Sequence, residues 1–298
     1  MAYSVAVIGL GAMGMGAAQS CVRAGLDTYG VDLSAQARDI LQAAGAKAVA
    51  ASADGFADKL DAVLLLVVNA AQVEAVLFGE SKLADKLKPG TAVMVSSTIA
   101  AQDAHRFGEA LAARGLLMLD APVSGGAAKA AAGEMTVMAA GDDAAFAKLQ
   151  PVLDAVAGKV YRCGKDIGQG ATVKIIHQLL AGVHIAAGAE ALALAAKAGI
   201  PLDLMYDVVT HAAGNSWMFE NRMKHVVDGD YTPLSMVDIF VKDLGLVTDT
   251  GKALRFPLPL ASTAFNMFTE ASNAGHGKED DSAVIKIFSG IELPKKGG

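Results

Sequence analysis

The stretch "VAVIGLGAMGMG" at positions 5–16 runs four apolar residues, Val5, Ala6, Val7 and Ile8, straight into glycines at 9, 11 and 14. A chain that leaves a strand this way must turn sharply, expose bare backbone and begin a helix close to the sheet. Each glycine has a distinct part in that geometry. Gly9 permits the turn, Gly11 lets a phosphate group approach the main chain, and Gly14 lets the helix pack tightly. The loop Gly9, Leu10, Gly11, Ala12, Met13 and Gly14 therefore reads as a cradle for a pyrophosphate, whose charge meets the N–H groups of a helix start.

A GxGxxG pattern alone is weak evidence, because a packing turn uses the same residues. Here it lies in a strand–helix–strand unit, and Asp32 ends the next strand in "TYGVDLS". A carboxylate there accepts hydrogen bonds from ribose hydroxyls and repels a 2′-phosphate. The next two residues are Leu33 and Ser34 rather than Arg or Lys. NAD is the expected cofactor.

Further short apolar runs follow at Thr28–Val31, Ala62–Val68, Ala92–Val95, Leu116–Leu119, Thr136–Ala139 and Val160–Cys163, with helical stretches such as Gly14–Ala24 and Gln102–Arg114 between them. This alternation predicts an α/β, Rossmann-type domain with a mostly parallel sheet. Several runs lack polar alternation, as strands covered on both faces do. After Cys163 the texture changes. One helix of roughly 28 residues is expected between Gly168–Gly170 and Gly199–Pro201, with helical segments beyond, broken near Gly214, Gly229–Pro233, Pro257–Pro259 and Gly275–Gly277. The expected division is a dinucleotide-binding domain over 1–164 and an all-helical substrate and oligomerisation domain over 165–298.

The 298 residues are 53% hydrophobic and 19% charged, with a net charge of −6. No run of like charge offers a nucleic-acid surface. The two cysteines, Cys21 and Cys163, suggest neither a disulfide framework nor a zinc site, and metal is not expected. The run near 62–68 is too short for a membrane span, and the long helix is too polar around Lys174 and His177. The N-terminus lacks the pattern of a cleaved signal. The expectation is a cytoplasmic chain without membrane or nucleic-acid partners.

Three more stretches then converge with the glycine loop: "DAPVSGGAAKAAAGEMTVMAAG" from Asp120, "GQGATVK" ending at Lys174, and "FVKDLGL" containing Lys242 and Asp243. In this order, over essentially the whole chain, they resemble the β-hydroxyacid dehydrogenase family, which includes 3-hydroxyisobutyrate dehydrogenase. The resemblance implies that Ser124, Gly125 and Gly126 bind a substrate carboxylate, and that Lys174 is the catalytic acid/base. Lys242 would lie beside both substrate and nicotinamide, with Asn69 and Thr98 along the nicotinamide side of the cofactor. "GNSWMFENR" (214–222) and "GKEDDSAVIKIF" (277–288) narrow the implied substrate to L-threonate, oxidised at C2, ahead of tartronate semialdehyde or 3-hydroxyisobutyrate. Asn215, Ser216 and Trp217 would then face the extra hydroxyls.

The residues carry readings of their own beside that resemblance. Two glycines after a serine expose backbone donors suited to a carboxylate, although strand-end turns also use them. A lysine in the first turns of an apolar helix either snorkels to solvent or sits in a cleft. In a cleft, burial and a second cation such as Lys242 would lower its pKa towards the range of a general base. Gln178, one helical turn after Lys174, stands where the family usually has Asn, and His177 replaces another Asn. Gln178 is expected at the substrate. A homodimer or homotetramer is the expected assembly. A non-catalytic NAD-sensing module is the rival from another class, and it would have no use for an acid/base lysine.

Overall fold

The computed structural model describes residues 3–297. In chain order it contains β1 Ser4–Ile8, α1 Ala12–Arg23, β2 Asp27–Val31, α2 Ala35–Ala43, β3 Ala48–Ala50, β4 Ala62–Leu65, α3 Ala70–Phe78, α4 Leu83–Lys86, β5 Ala92–Val95 and α5 Ala101–Ala112. Then come β6 Leu117–Asp120, β7 Val123–Ser124, α6 Gly126–Ala132, β8 Met135–Ala140, α7 Asp143–Val156, β9 Ala157–Gly164 and α8 Gln169–Lys197. The rest is α9 Leu202–Thr210, α10 Trp217–Asp228, α11 Val237–Leu254 and α12 Pro259–Ala271, with a 3₁₀ segment at Asp281–Ile287. Contacts divide the chain into two compact units, Met1–Lys174 and Ile175–Gly298, so the division falls within α8.

The first unit holds one sheet in the order β3-β2-β1-β4-β5-β6-β8-β7, with β9 on β8. The strands from β3 to β6 are all parallel. β8 runs antiparallel to β6 and β7, and β9 is parallel to β8. The unbroken apolar strands have the cause anticipated above. Val5, Val7, Leu64, Met94 and Leu119 belong to one core cluster, while Ala6, Ile8, Leu65, Val93 and Met118 belong to another. Successive side chains point to opposite faces, and both faces are covered. Two strands escape the sequence reading. β3 is three half-buried residues with a single β-branched side chain, and β7 is two residues long.

In the second unit every element beyond α8 is helical, apart from an isolated bridge between Met236 and Asp280. α8 is 29 residues long, long and apolar enough to cross a membrane by length and composition, with half of its apolar window buried in the protein. Its glycines serve packing. A Cβ at Gly182 would come within 2.8 Å of Leu244 on α11, and one at Gly188 within 3.0 Å of Phe219 on α10. Phe240 and Phe268 stack at 5.1 Å between ring centroids in the same core. Arg222 Nε lies 3.0 Å from Asp281 Oδ1, a buried ion pair tying "GNSWMFENR" to the 3₁₀ segment. The breaks expected at Gly214 and Gly229–Pro233 fall between helices, Pro257–Pro259 runs into the first residue of α12, and Gly275, at φ +96°, kinks the short helical segment Ser272–His276 that follows α12.

Candidate active site

The glycine loop follows β1 and opens α1. Gly9 has φ +90°, a conformation that L side chains rarely adopt. A Cβ at Gly14 would sit 1.7 Å from the Gly9 carbonyl oxygen, so helix and turn touch main chain to main chain. Gly11 differs from both. A Cβ there would meet nothing within 4 Å, and Gly11 and Ala12 are exposed. Gly11 is also the N-cap of α1 and provides no side-chain cap. The loop thus leaves open space over a helix start, which fits a pyrophosphate.

Asp32, at the end of β2, is tied to the same loop. Its Oδ2 accepts a hydrogen bond from the Leu10 N–H at 2.6 Å, and Oδ1 accepts one from the Ser34 N–H at 2.8 Å. Sequence reasoning looked for a basic neighbour at 33 and 34, but the structure has one further on. Arg38 Nη1 donates to the Asp32 carbonyl at 2.7 Å and the Leu33 carbonyl at 2.9 Å. An arginine six residues away has no sequence signature, because the turn into α2 alone brings it back.

Asn69 is the N-cap of α3. Its side chain accepts from the Gln72 N–H at 2.9 Å, while Gln72 Oε1 accepts from the Val68 N–H at 2.8 Å. This reciprocal pair fixes the start of α3 beyond the end of β4, where the family resemblance puts the nicotinamide. Thr98, half-buried, follows β5 on the neighbouring strand.

Ser124 ends β7. Gly125 and Gly126 have φ of +129° and +72°. A Cβ on Gly125 would press on the Lys129 side chain at 2.8 Å, whereas one on Gly126 would meet nothing within 4 Å. The segment is half-buried and presents main chain to open space, the arrangement that a carboxylate needs.

Lys174 lies two turns into α8 and is only 6% exposed, which removes the snorkelling alternative. In the second unit Gln178 Nε2 donates to Asp243 Oδ2 at 2.5 Å, and Lys242 Nζ lies 2.8 Å from Asp243 Oδ1. Asp243 is 2% exposed, so its carboxylate orders both groups. The Gln178 amide thus donates to Asp243, and the charge of Lys242 is countered by the aspartate beside it. Gln178 Oε1 also meets His177 Nδ1 at 2.9 Å. Asp243 was the residue missed, although a Lys-Asp pair inside the apolar run "IFVKDLGL" was a visible signal.

"GNSWM" has a local structural part. Ser216 caps α10 by accepting from the Phe219 N–H at 3.0 Å, and Asn215 Nδ2 donates to Glu220 Oε2 at 3.2 Å. Trp217 is 57% exposed and lines a surface hollow with Tyr206, Glu220, Asn221 and Lys224. Among the described residues, no cluster of three or more His, Cys, Asp or Glu side chains could hold a metal ion.

Two sequence families match the chain. Residues 4–164 match the NAD binding domain of 6-phosphogluconate dehydrogenase, and residues 168–288 match the NAD-binding domain of NADP-dependent 3-hydroxyisobutyrate dehydrogenase. The L-threonate dehydrogenase of Pectobacterium atrosepticum is 76% identical, covering 99% of this chain and 97% of its own. A crystal structure described as 3-hydroxyisobutyrate dehydrogenase from Salmonella typhimurium is 72% identical, with a TM-score of 0.93 over 96% of this chain and 100% of its own. A Mycobacterium tuberculosis 3-hydroxyisobutyrate dehydrogenase with L-serine is 31% identical, with a TM-score of 0.84 over 97% of this chain and 100% of its own.

Proposed function

Since the chain belongs to the β-hydroxyacid dehydrogenase family, we propose that it oxidises L-threonate at C2 to the 2-oxo acid with NAD. The observation that carries the substrate is the 76% identity, over nearly the whole of both chains, to an L-threonate dehydrogenase. The open space at Gly11 and the carboxylate of Asp32 fit a dinucleotide that carries free ribose hydroxyls.

NAD, when bound, supplies the hydride acceptor. The chain holds substrate and moves a proton. Ser124, Gly125 and Gly126 grip the carboxylate through a hydroxyl and backbone donors. Lys174 Nζ, in its neutral form, takes the proton of the C2 hydroxyl as that carbon becomes a carbonyl, and returns it in the reverse direction. Its 6% exposure supports this role, because burial favours the neutral amine. Lys242 and Gln178, both ordered by Asp243, orient the substrate's polar groups. Gly9 to Gly14 and Asp32 bind the dinucleotide, with Asn69 and Thr98 towards the nicotinamide. Residues 1–164 would carry the cofactor and the Ser124–Gly126 carboxylate grip, and 165–298 the remaining substrate and subunit contacts, in a cytoplasmic homodimer or homotetramer.

A panel of four-carbon aldonates, tartronate semialdehyde, L-serine and 3-hydroxyisobutyrate, assayed with NAD and NADP, tests the reading. L-threonate with NAD should give the highest kcat/KM. A higher value for 3-hydroxyisobutyrate would move the chain to that activity within the family.

A further inference from the structure

Asp120 ends β6 and is 1% exposed. A carboxylate is seldom buried unless other groups satisfy it. Here Oδ2 accepts two hydrogen bonds from the start of α8, from the N–H groups of Gly168 and Ala171, each at 2.9 Å. A helix leaves its first N–H groups without partners of its own. This carboxylate, 48 residues earlier in the chain than Gly168, satisfies two donors there.

The approach is held from other sides too. A Cβ at Gly170 would meet the Asp120 carbonyl oxygen at 2.5 Å and that of Met138 at 2.6 Å. Gly168 has φ +96°, and a Cβ there would lie 2.7 Å from His105 Nε2. Thr172 Oγ1 donates to the Gly168 carbonyl at 2.8 Å. The first turn of α8 therefore packs main chain to main chain against the end of β6 and against Met138 of β8. Lys174 is three residues after Ala171, close to one helical turn.

We propose that Asp120 is a positioning residue for Lys174. By fastening the first turn of α8 to the end of β6, it sets where the Lys174 amine is presented. The inference rests on Lys174 as the proton-transfer group. A surface cap such as Ser or Asn satisfies N–H groups without burying a charge, so the fixed carboxylate at this point implies more than helix initiation. Burial pushes the Asp120 pKa up to about 6, against the hydrogen bonds from Ala171, Gly168 and Gly170 and the nearby His105 of α5, which lower it. Its charge in turn raises the Cys163 thiol on β9, after burial, which is the larger cause there. His105 and Cys163 are thus the titratable neighbours to account for in any pH profile.

The test uses the full-length chain with Asp120→Asn and Asp120→Ala. Steady-state kinetics are measured against pH, NADH binding is measured separately, and Lys174 is titrated by NMR after ¹³C-methylation of lysines. The Lys174 resonance is assigned by its loss in Lys174→Arg. Asp120→Ala should lower kcat roughly 10–100-fold, the scale of a small misplacement of a catalytic group, with NADH affinity within about twofold. Asp120→Asn keeps an acceptor oxygen and should recover most of that loss, yet still move the Lys174 titration midpoint. If Asp120→Ala does not fold, the shift in Asp120→Asn decides. A Lys174 titration and kcat that match the parent in Asp120→Asn, and in Asp120→Ala wherever it folds, would overturn the proposal. Normal turnover by Lys174→Ala would instead remove the role of Lys174 itself, while the titration would still report whether Asp120 places its amine.

Discussion

The carboxylate of Asp32 accepts a hydrogen bond from the backbone N–H of Leu10 at 2.6 Å, which joins the end of β2 to the glycine loop after β1. One side chain therefore orders the loop and faces the place where a ribose would lie. Asp32→Ala should relax the preference for NAD without abolishing turnover. Arg38, anchored on the Asp32 and Leu33 carbonyls, would then be the nearby cation for a 2′-phosphate. Steady-state kcat/KM with both cofactors checks this, and Asp32→Ala/Arg38→Ala should lose the gain in NADP activity. Better use of NADP than NAD by the parent would overturn it.

Gly11 and Gly14 separate cofactor binding from folding. A methyl at Gly11 meets nothing within 4 Å, whereas one at Gly14 would lie 1.7 Å from the Gly9 carbonyl oxygen. Gly11→Ala should keep its Tm and weaken NADH at least about tenfold, or about 1.4 kcal/mol. Gly14→Ala should lose about 1–3 kcal/mol of stability from overpacking. Thermal unfolding and NADH titration on the two variants give the comparison. Equal effects on Tm would contradict it.

Ser124→Ala should raise the KM of the hydroxy acid and leave NADH affinity nearly unchanged. A hydrogen bond to a charged group contributes about 1.5–3 kcal/mol, so the loss should be roughly ten- to a hundredfold. Weakened NADH with normal substrate binding would assign the Ser124–Gly126 segment to the cofactor instead.

The oxidation rate should rise with pH as Lys174 loses its proton. Lys174→Ala should cost about 10²–10⁴ in turnover, with NADH still bound. Lys174→Arg should not restore it, because a guanidinium keeps its proton. Turnover against pH for the three proteins is the measurement. Near-normal activity in Lys174→Arg would make Lys174 an electrostatic clamp.

Asp120 should also mark the dependence of stability on pH. Its pKa in the folded chain is about 6, above the ordinary 3.8, with burial the main cause. Between those values the folded state holds a proton that the unfolded state has released, so raising the pH through this window favours unfolding. The effect is complete near pH 6 and amounts to at most about 3 kcal/mol. The difference in Tm between parent and Asp120→Asn should therefore vary between pH 4 and 6 and level off above. A constant difference across that range would exclude it.

What could be read ahead of the structure follows the range of each interaction. The glycine loop and Asp32 were legible because a tight turn and a close approach permit few residue types. The strands of the parallel sheet were legible because both faces are apolar. β3 and β7 were not, being three and two residues long and held by register with their neighbours. Asp120 and Asp243 were visible only as members of motifs. Apart from Lys242 beside Asp243, their hydrogen-bond partners lie 48 to 65 residues away, and no local pattern states that a carboxylate will close such a distance. Ser216 caps α10 and Asn215 donates to Glu220, local bonds that the motif alone does not state.

The division of the chain inside α8 has a consequence for dissection. Family resemblance changes between residues 164 and 168, but the compact unit runs on to Lys174. Ala171 belongs to the core on one face of the sheet, and the Asp120 carboxylate finds its donors at Gly168 and Ala171. A fragment ending at 164 would uncover a hydrophobic seat and strand an interior anion. The inherited seam and the mechanical seam are offset by about ten residues, and a fragment meant to fold by itself must be cut at the later one.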